Sequence, residues 1–291
     1  MKIKSYGKIN LILEVGHLRA DKFHEIKSIV QTISLSDNIS IEVNNTGKIE
    51  MNCSIKSIPC DERNTVFRAI KQFFEEFKID KGMSVFLEKN IPFEAGLGGG
   101  SGNAGAILLA LNKIFETNKD IYELSKMGAK IGSDVPLFLF GGTIFMSGRG
   151  EIIKPLEDFN KIYLNVVKHK NIGVSTKLAY EELDKRENLF FNEDSESFLE
   201  NLNNLNFTND FHLPLLKMHN ELKSVHTYIM DSGAKCALLS GSGSSIFGYY
   251  LSEEERDAGF NNLIKKRNIN VFSCESINRN EYKNSILGDL S

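Results

Sequence analysis

Apolar and polar residues alternate through the first 90 positions in the period of a β-strand, where successive side chains point to opposite faces. In Lys8-Ile9-Asn10-Leu11-Ile12-Leu13 the apolar positions recur at every second residue, and Asn38-Ile39-Ser40-Ile41-Glu42-Val43 repeats the pattern. The period becomes helical over residues 65–77, where Val66, Ala69, Ile70, Phe73, Phe74 and Phe77 share one face. Residues 84–88 read as a strand again and deliver the chain to Pro92. A helix is predicted from about Gly102 to Phe115, with Ala104, Ile107, Leu108, Leu111 and Phe115 on its buried side. Residues 121–131 predict another.

Between residues 155 and 161 the chain turns polar, then restarts with a strand-like run at 162–167. A boundary there divides it into residues 1–155 and 156–291. In the second part an Asn/Glu/Ser-rich stretch, residues 188–209, reads as surface helices and loops. A helix is predicted over 214–230, with Pro214 tolerated in its first turn. A strand and a glycine turn follow at 236–250. No fixed-period repeat is present, which excludes a solenoid. The pattern predicts a mixed α+β chain in two parts.

Composition narrows the class without naming a chemistry. Of 291 residues, 41% are apolar and 25% charged, as in folded globular proteins. The 35 basic and 38 acidic side chains leave a formal charge of −3, so there is no basic footprint for nucleic acid or an anionic membrane. Any polyanion must be held locally, by backbone amides and a few placed cations. The amino terminus lacks the apolar core of a secretion signal. Residues 135–146, the longest weakly polar run, are too short to span a bilayer. Cys53, Cys60, Cys236 and Cys274 are scattered, without C-x-x-C spacing, and read as reduced thiols. With no secretion signal, the N-x-S/T triplets at Asn38, Asn44, Asn52 and Asn206 carry no meaning, and the expected compartment is the cytoplasm.

The chemistry is concentrated after Pro92. The run Pro92-Phe-Glu-Ala95-Gly96-Leu97-Gly98-Gly99-Gly100-Ser101-Gly102-Asn103 is dense in glycine and leads into an amphipathic helix. Backbone without side chains can approach a ligand closely and take positive φ, so its N–H groups can converge on one anion. The following helix adds the positive end of its dipole. Ser101 offers a hydroxyl to a phosphate or its magnesium ion. A flexible turn is the competing interpretation of such a run; a strand before it and a helix after it favour phosphate binding. No Gly-Lys-Ser/Thr follows, so this is not a Walker A loop. Gly100-Ser-Gly102-Asn-Ala-Gly105 fits G-x-G-x-x-G, but no clear βαβ unit surrounds it. The H-R-D and D-F-G signatures of protein kinases are missing.

These residues resemble the GHMP superfamily of small-molecule kinases, whose phosphate loop reads P-x-x-x-G-L-G-x-x-S. Within it, Gly96-Leu-Gly-Gly-Gly-Ser101 is similar to the version in the family that acts on 4-diphosphocytidyl-2-C-methyl-D-erythritol. Further segments agree in order. Lys8-Ile9-Asn10-Leu11 resembles the family's opening strand, and Arg19-Ala-Asp-Lys22-Phe23-His24-Glu25-Ile26 its R-x-D-G-Y-H-E-I segment. Gly132-Ser-Asp134-Val-Pro136-Leu-Phe138 resembles its G-S-D-V-P-F-F, followed by Gly148-Arg-Gly-Glu151. Leu239-Ser240-Gly241-Ser242-Gly243-Ser244-Ser245 resembles its carboxy-terminal glycine stretch.

The resemblance implies an α+β, two-domain GHMP-kinase fold. Each half is a mixed sheet packed with helices, and the active site lies in the cleft between the halves. It implies transfer of the γ-phosphoryl of ATP, with Mg2+ carried on the nucleotide phosphates, to a hydroxyl of a cytidine diphosphate-linked alcohol in non-mevalonate isoprenoid synthesis. Asp134 would accept the hydroxyl proton and Lys8 would stabilise the charge. Taken alone, Asp134 could equally cap the segment at Val135, and Lys8 could be a surface charge. The nucleotide would lie on Pro92, Ala95, Gly96, Leu97, Gly98, Gly99, Gly100, Ser101, Gly102 and Asn103. The acceptor would meet Asn10, Phe23, His24, Val174, Ser175, Thr176, Tyr180, Gly241 and Ser242. His24 would bond the base edge, while Phe23 and Tyr180 stack against the ring. No protein-held metal, nucleic acid or membrane partner is implied, and the chain is expected as a monomer or homodimer.

Lys22 and Phe23 stand where the family usually has Gly and Tyr, and Gly102 and Asn103 where Ser and Asp are common. Two other activities compete: a GHMP kinase for mevalonate, homoserine or a sugar-like alcohol, and a catalytically silent nucleotide-binding protein. The triple glycine and Phe23-His24-Glu25-Ile26 argue against the first, and the pairing of Lys8 with Asp134 against the second.

Overall fold

The alternating amino-terminal segment folds as a long antiparallel ribbon, β1 (Lys2–Leu18) with β2 (His24–Asn44), at the centre of a seven-stranded sheet. In this computed structural model residues 1–185, 191, 200–202 and 204–287 are described. Of the stretch expected as surface helices and loops at 188–209, residues 188–190, 192–199 and 203 lie outside them. Strands β3 (Ile49–Cys53) and β4 (Gly82–Glu88) extend the sheet on one side of β2. Strands β5 (Thr143–Ser147) and β6 (Ile152–Pro155) continue from the other end of β2. The parallel pairs β3–β4 and β1–β8 (Thr208–Asn209) make this sheet mixed.

A second sheet of four strands runs β11 (Ile269–Glu275), β7 (Tyr163–His169), β10 (Ile246–Tyr250), β9 (Cys236–Leu239), and every pairing in it is antiparallel. The two sheets pack face to face: Ile9, Leu11, Ile29 and Ile33 of the first meet Leu164, Val166, Phe247 and Tyr249 of the second. Helices cover both outer faces. α1 (Thr65–Phe77), α2 (Gly99–Ile114) and α3 (Ile121–Ile131) bury Ile39, Ile41, Val85 and Leu87. The second sheet is covered by α7 (Asn220–Asp231) and α8 (Glu253–Leu263), with the short α4 (Leu137–Phe140), α5 (Thr176–Leu183) and α6 (His212–Met218) in the chain before them. The last helix, α9 (Arg279–Leu287), returns to the first half, where Tyr282 packs on Tyr6.

Local signals account for most boundaries. Asn64 caps α1 by accepting from Val66 N, and Asp120 with Glu123 forms a capping box on α3. Two boundaries differ from expectation. α2 starts at Gly99, three positions earlier than the sequence predicts, because Gly98 at φ 67° turns the chain into the helix. Each glycine in a helix costs about 1 kcal/mol relative to alanine. Here close packing offsets that: a Cβ at Gly102 would approach Tyr6 O to 2.6 Å, and one at Gly105 would approach Phe138 Cβ to 2.9 Å. The helix expected over 214–230 is two helices, broken where His219 is extended at φ −126° and ψ 105°.

Candidate active site

The two-residue period of β1 sends Lys8 and Asn10 to the face opposite Ile9 and Leu11, toward the phosphate loop. Lys8 N donates to Leu97 O at 2.9 Å, and a side chain at Gly98 would come within 3.1 Å of Lys8 Cγ. The Lys8 ammonium is buried, the residue being 5% exposed. It donates to Asn10 Oδ1 at 2.6 Å; Asn10 Nδ2 in turn donates to Ser28 Oγ at 2.8 Å. Burial pushes the Lys8 pKa below the ordinary lysine value, and the charge of Asp134 opposes that shift. An ammonium and a carboxylate are thus brought within electrostatic reach of each other, from strand and turn, across 126 residues of chain.

Asp134 is half-buried in the turn before α4. Val135 N bonds to Gly132 O at 3.1 Å, so the backbone closes this turn without the Asp134 carboxylate. Among the described residues no hydrogen bond reaches that carboxylate. Its oxygens are therefore free to accept a hydrogen bond from a ligand.

The phosphate loop ends in a helix without a side-chain cap: Gly98 offers none, and the first intrahelical bond runs from Gly102 N to Gly98 O at 2.8 Å. The N–H groups of Gly99, Gly100 and Ser101 are left without helical acceptors. They open on a cleft of about 420 Å³, lined also by Pro92, Ala95, Gly96, Leu97 and Gly98 and walled opposite by Ile58, Pro59, Arg63 and Thr65. An anion is the natural partner of such a terminus. The loop's shape is fixed from outside. Ser240 Oγ donates to Gly96 O at 2.8 Å and Ser245 N to Ala95 O at 3.2 Å. Gly96 has φ 74°, and a Cβ there would collide with the Ser240 carbonyl oxygen.

Two proposed nucleotide residues face inward instead. Gly102 is buried against Tyr6 and Phe138, outside the lining of the cleft. Asn103, at the cleft floor, donates to Ser5 Oγ at 2.9 Å and to Asp37 Oδ2 at 2.8 Å. Asp37 is fully buried; it pairs with Lys89 and accepts from the N–H groups of Asn90 and Ile91 at 2.8 Å each. The family's aspartate at position 103 would bring a second carboxylate against Asp37, and asparagine avoids that repulsion. Sequence reading missed both members of this ion pair. Lys89, three residues before Pro92, was the discoverable one; nothing local marks Asp37.

Outside the lining of that cleft, His24 and Tyr180 stack, ring centroids 5.0 Å apart and planes 18° apart. Tyr180 also meets Phe211 edge-on, and its pKa is pushed up to about 12 by burial and then by Asp134. The His24 ring lies between two acceptors, Gly16 O at 3.0 Å from Nδ1 and Asp184 Oδ1 at 3.1 Å from Nε2. Nε2 is thus occupied by Asp184, and any ligand bonding there would have to displace that carboxylate. Phe23 is 54% exposed and carries the Arg149 guanidinium 5.0 Å from its ring centre, so it stands apart from the His24–Tyr180 stack.

The stretch after Gly173, expected at the substrate, meets the carboxy-terminal glycine turn. Thr176 Oγ1 is 3.0 Å from Ser242 Oγ, and a Cβ at Gly243 would lie 4.0 Å from Val174 Cγ2. Ser175 stands at the start of α5 with its hydroxyl making no cap bond. A Cβ at Gly241 would lie 3.4 Å from Lys8 Nζ and 3.6 Å from Asn10 Oδ1, so this turn roofs the buried lysine. Asn209, unmarked in sequence, fixes the roof by donating to Leu239 O at 2.8 Å and Gly241 O at 2.9 Å.

Known proteins with this arrangement are many. Residues 64–142 match the family model described as the GHMP kinases N terminal domain. A 4-diphosphocytidyl-2-C-methyl-D-erythritol kinase of Clostridium tetani is 37% identical over 275 residues, covering 92% of this chain and 97% of its own. The crystal structure of a 4-(cytidine 5'-diphospho)-2C-methyl-D-erythritol kinase superposes with TM-score 0.81 at 29% identity, over 94% of this chain and 99% of that one. A homoserine kinase from Cytophaga hutchinsonii superposes with TM-score 0.68 over 97% of this chain and 96% of its own, but at 18% identity it shares the fold alone. Identity of this extent over nearly the whole length decides the membership: the chain belongs to the 4-diphosphocytidyl-2-C-methyl-D-erythritol kinase family of the GHMP kinases.

Proposed function

We propose that the chain transfers the γ-phosphoryl group of ATP to a hydroxyl of 4-diphosphocytidyl-2-C-methyl-D-erythritol. The observation that carries this is the convergence of buried Lys8 and unbonded Asp134 beside an uncapped helix terminus. Asp134 takes the proton of the acceptor hydroxyl as its oxygen forms a bond to the γ-phosphorus. The bond from that phosphorus to the β–γ bridging oxygen breaks, and ADP leaves. Lys8, held by Asn10, faces the negative charge that grows on the transferring oxygens. The free amides of Gly99, Gly100 and Ser101 hold the nucleotide phosphates.

Among the described residues no group of three His, Cys, Asp or Glu side chains is disposed to hold a metal ion. The Ser101 hydroxyl, together with the nucleotide phosphates, would hold Mg2+, which would supply charge neutralisation there. The base end of the acceptor fits the His24, Tyr180 and Phe23 side, with residues 173–176 and the Gly241–Ser242 turn closing over the middle. Both halves, 1–155 and 156–291, contribute groups to this site. No described helix is long and apolar enough to cross a membrane, and the reading places the enzyme in the cytoplasm with a small-molecule partner.

A panel of acceptors with ATP tests the assignment. Turnover is expected with the cytidyl substrate and not with mevalonate, homoserine or galactose. Turnover of one of those three, with none of the cytidyl compound, overturns it.

A further inference from the structure

Three loops that surround the proposed acceptor meet on one ammonium group. Lys168, in the penultimate position of β7, donates from Nζ to Ser244 Oγ at 2.9 Å, to Ile172 O at 3.2 Å and to Glu94 O at 3.3 Å. Glu94 belongs to the phosphate loop between Pro92 and Gly96. Ile172 leads into the substrate stretch 173–176, and Ser244 lies in the carboxy-terminal glycine turn. An ammonium has three protons and no acceptor; here each proton has a different loop to bond. Ser244 Oγ passes the link on, donating to Ile172 O at 3.1 Å.

The base of this side chain is fixed. Its neighbours Val166 and Val167 are buried in two different cores, on opposite faces of the second sheet. The loops, by contrast, are irregular backbone joined to one another by neutral bonds that each link two of them: Ser245 N to Ala95 O, and Thr176 Oγ1 with Ser242 Oγ. Among the described residues Lys168 is the side chain whose hydrogen bonds reach all three. The carboxylate of Glu94 lies near enough to favour the charged ammonium, against the burial that disfavours it.

We propose that Lys168 is a positioning residue for the phosphoryl transfer. It ties the phosphate loop, the 172–176 stretch and the glycine turn into one preformed wall, so that the acceptor meets an ordered site. This rests on the function proposed above. Ordering loops before binding removes an entropic cost that would otherwise be taken from affinity. The side chain touches no reacting atom. Its loss acts through the loops, on acceptor binding more than on the chemical step.

The test combines steady-state kinetics with amide hydrogen exchange of the free protein, on wild type, Lys168→Met, Lys168→Arg, Ser244→Ala and the Lys168→Met/Ser244→Ala double variant. Lys168→Met is expected to raise the KM of the cytidyl acceptor roughly tenfold while kcat changes less than about threefold. Exchange should quicken in all three loops together. Lys168→Arg should recover most of the KM, and the double variant should lose no more than Lys168→Met alone, because both changes cut one node. If Lys168→Met does not fold, Ser244→Ala decides, with a KM increase and faster exchange in the 172–176 stretch supporting the proposal. An unchanged KM with unchanged exchange overturns it, as does a strictly additive double variant. Wild-type protein that never turns over the cytidyl acceptor sinks the functional reading instead. The exchange measurement, which needs no substrate, then still decides whether Lys168 orders the loops.

Discussion

The two ends of the proposed site, one for the phosphates and one for the base, are built by different means. At the phosphate end the ligand-facing groups are backbone amides of consecutive residues, Gly99 to Ser101, anchored by a buried network of Lys89, Asp37 and Asn103 beneath the helix start. At the base end they are side chains from separate elements, the stacked His24 on β2 and Tyr180 on α5, with Phe23 standing apart before β2. One end is made by chain conformation, so few residue types can serve there. The other is made by side chains brought together from separate elements, so no single local pattern specifies it. The departures Lys22 and Phe23 fall at the second end. The lesson is that errors at the phosphate end should damage the rate or the fold, while errors at the base end should damage affinity.

The sharpest attempt to break that contrast is Asp134→Asn. It keeps the volume and removes the proton acceptor, so kcat should fall by about 10²–10⁴ with the acceptor KM nearly unchanged. An equal loss carried entirely in KM would erase the distinction between the ends. Next is Gly96→Ala. The methyl must occupy the Ser240 carbonyl position at φ 74°, which ordinary residues avoid at a cost of about 1–2 kcal/mol before any clash. A lower melting temperature together with weakened ATP binding is expected, and a variant as stable as wild type would show that the loop is not clamped.

These two residues also show what could be read from sequence. The glycine run is legible because its function is local: phosphate binding needs small residues side by side, just before a helix. The α1 and α3 helices are legible for a similar reason, since period and cap are local signals. The start of α2 was not, because it depends on Gly98 taking φ 67° and on the close packing of Gly102 against the Tyr6 carbonyl and Phe138, which come from distant parts of the chain. Asp37, Asn209 and Lys168 left no trace in sequence either. Each has a partner 30 or more residues away, such as the carbonyl of Leu239 for Asn209. Lys8 and Asp134 were reached through resemblance; spacing alone would have left them as a surface charge and a cap.

Lys8→Met offers a middle-sized effect with two signs. Catalysis should drop by about 10² for loss of a placed cation. Stability should hold or rise, because a buried ammonium is costly and its hydrophobic replacement is not. In wild type the lowered Lys8 pKa means that the native state binds this proton less tightly than the unfolded chain. The rate should therefore begin to fall at a pH below the ordinary lysine value of about 10.4, and Lys8→Met should abolish that alkaline limb. A limb centred at the ordinary lysine value would contradict the burial argument.

The smallest effects belong to the base end. Phe23→Ala should raise the acceptor KM by about 2- to 13-fold, the equivalent of a stacking contact of about 0.5–1.5 kcal/mol, and leave kcat alone. Phe23→Tyr, which restores the family's residue, should alter KM less than Phe23→Ala does. A kcat effect from either variant would mean that the two ends are coupled more tightly than the geometry implies.

The central claim is that one cleft joins these ends for one reaction. Release of ADP by the wild-type protein, followed in a coupled assay with the cytidyl-methylerythritol substrate added or withheld, tests it most directly. ADP should appear at a rate set by the substrate and stay near background without it. ADP release that ignores the substrate, or none under either condition, would contradict the account.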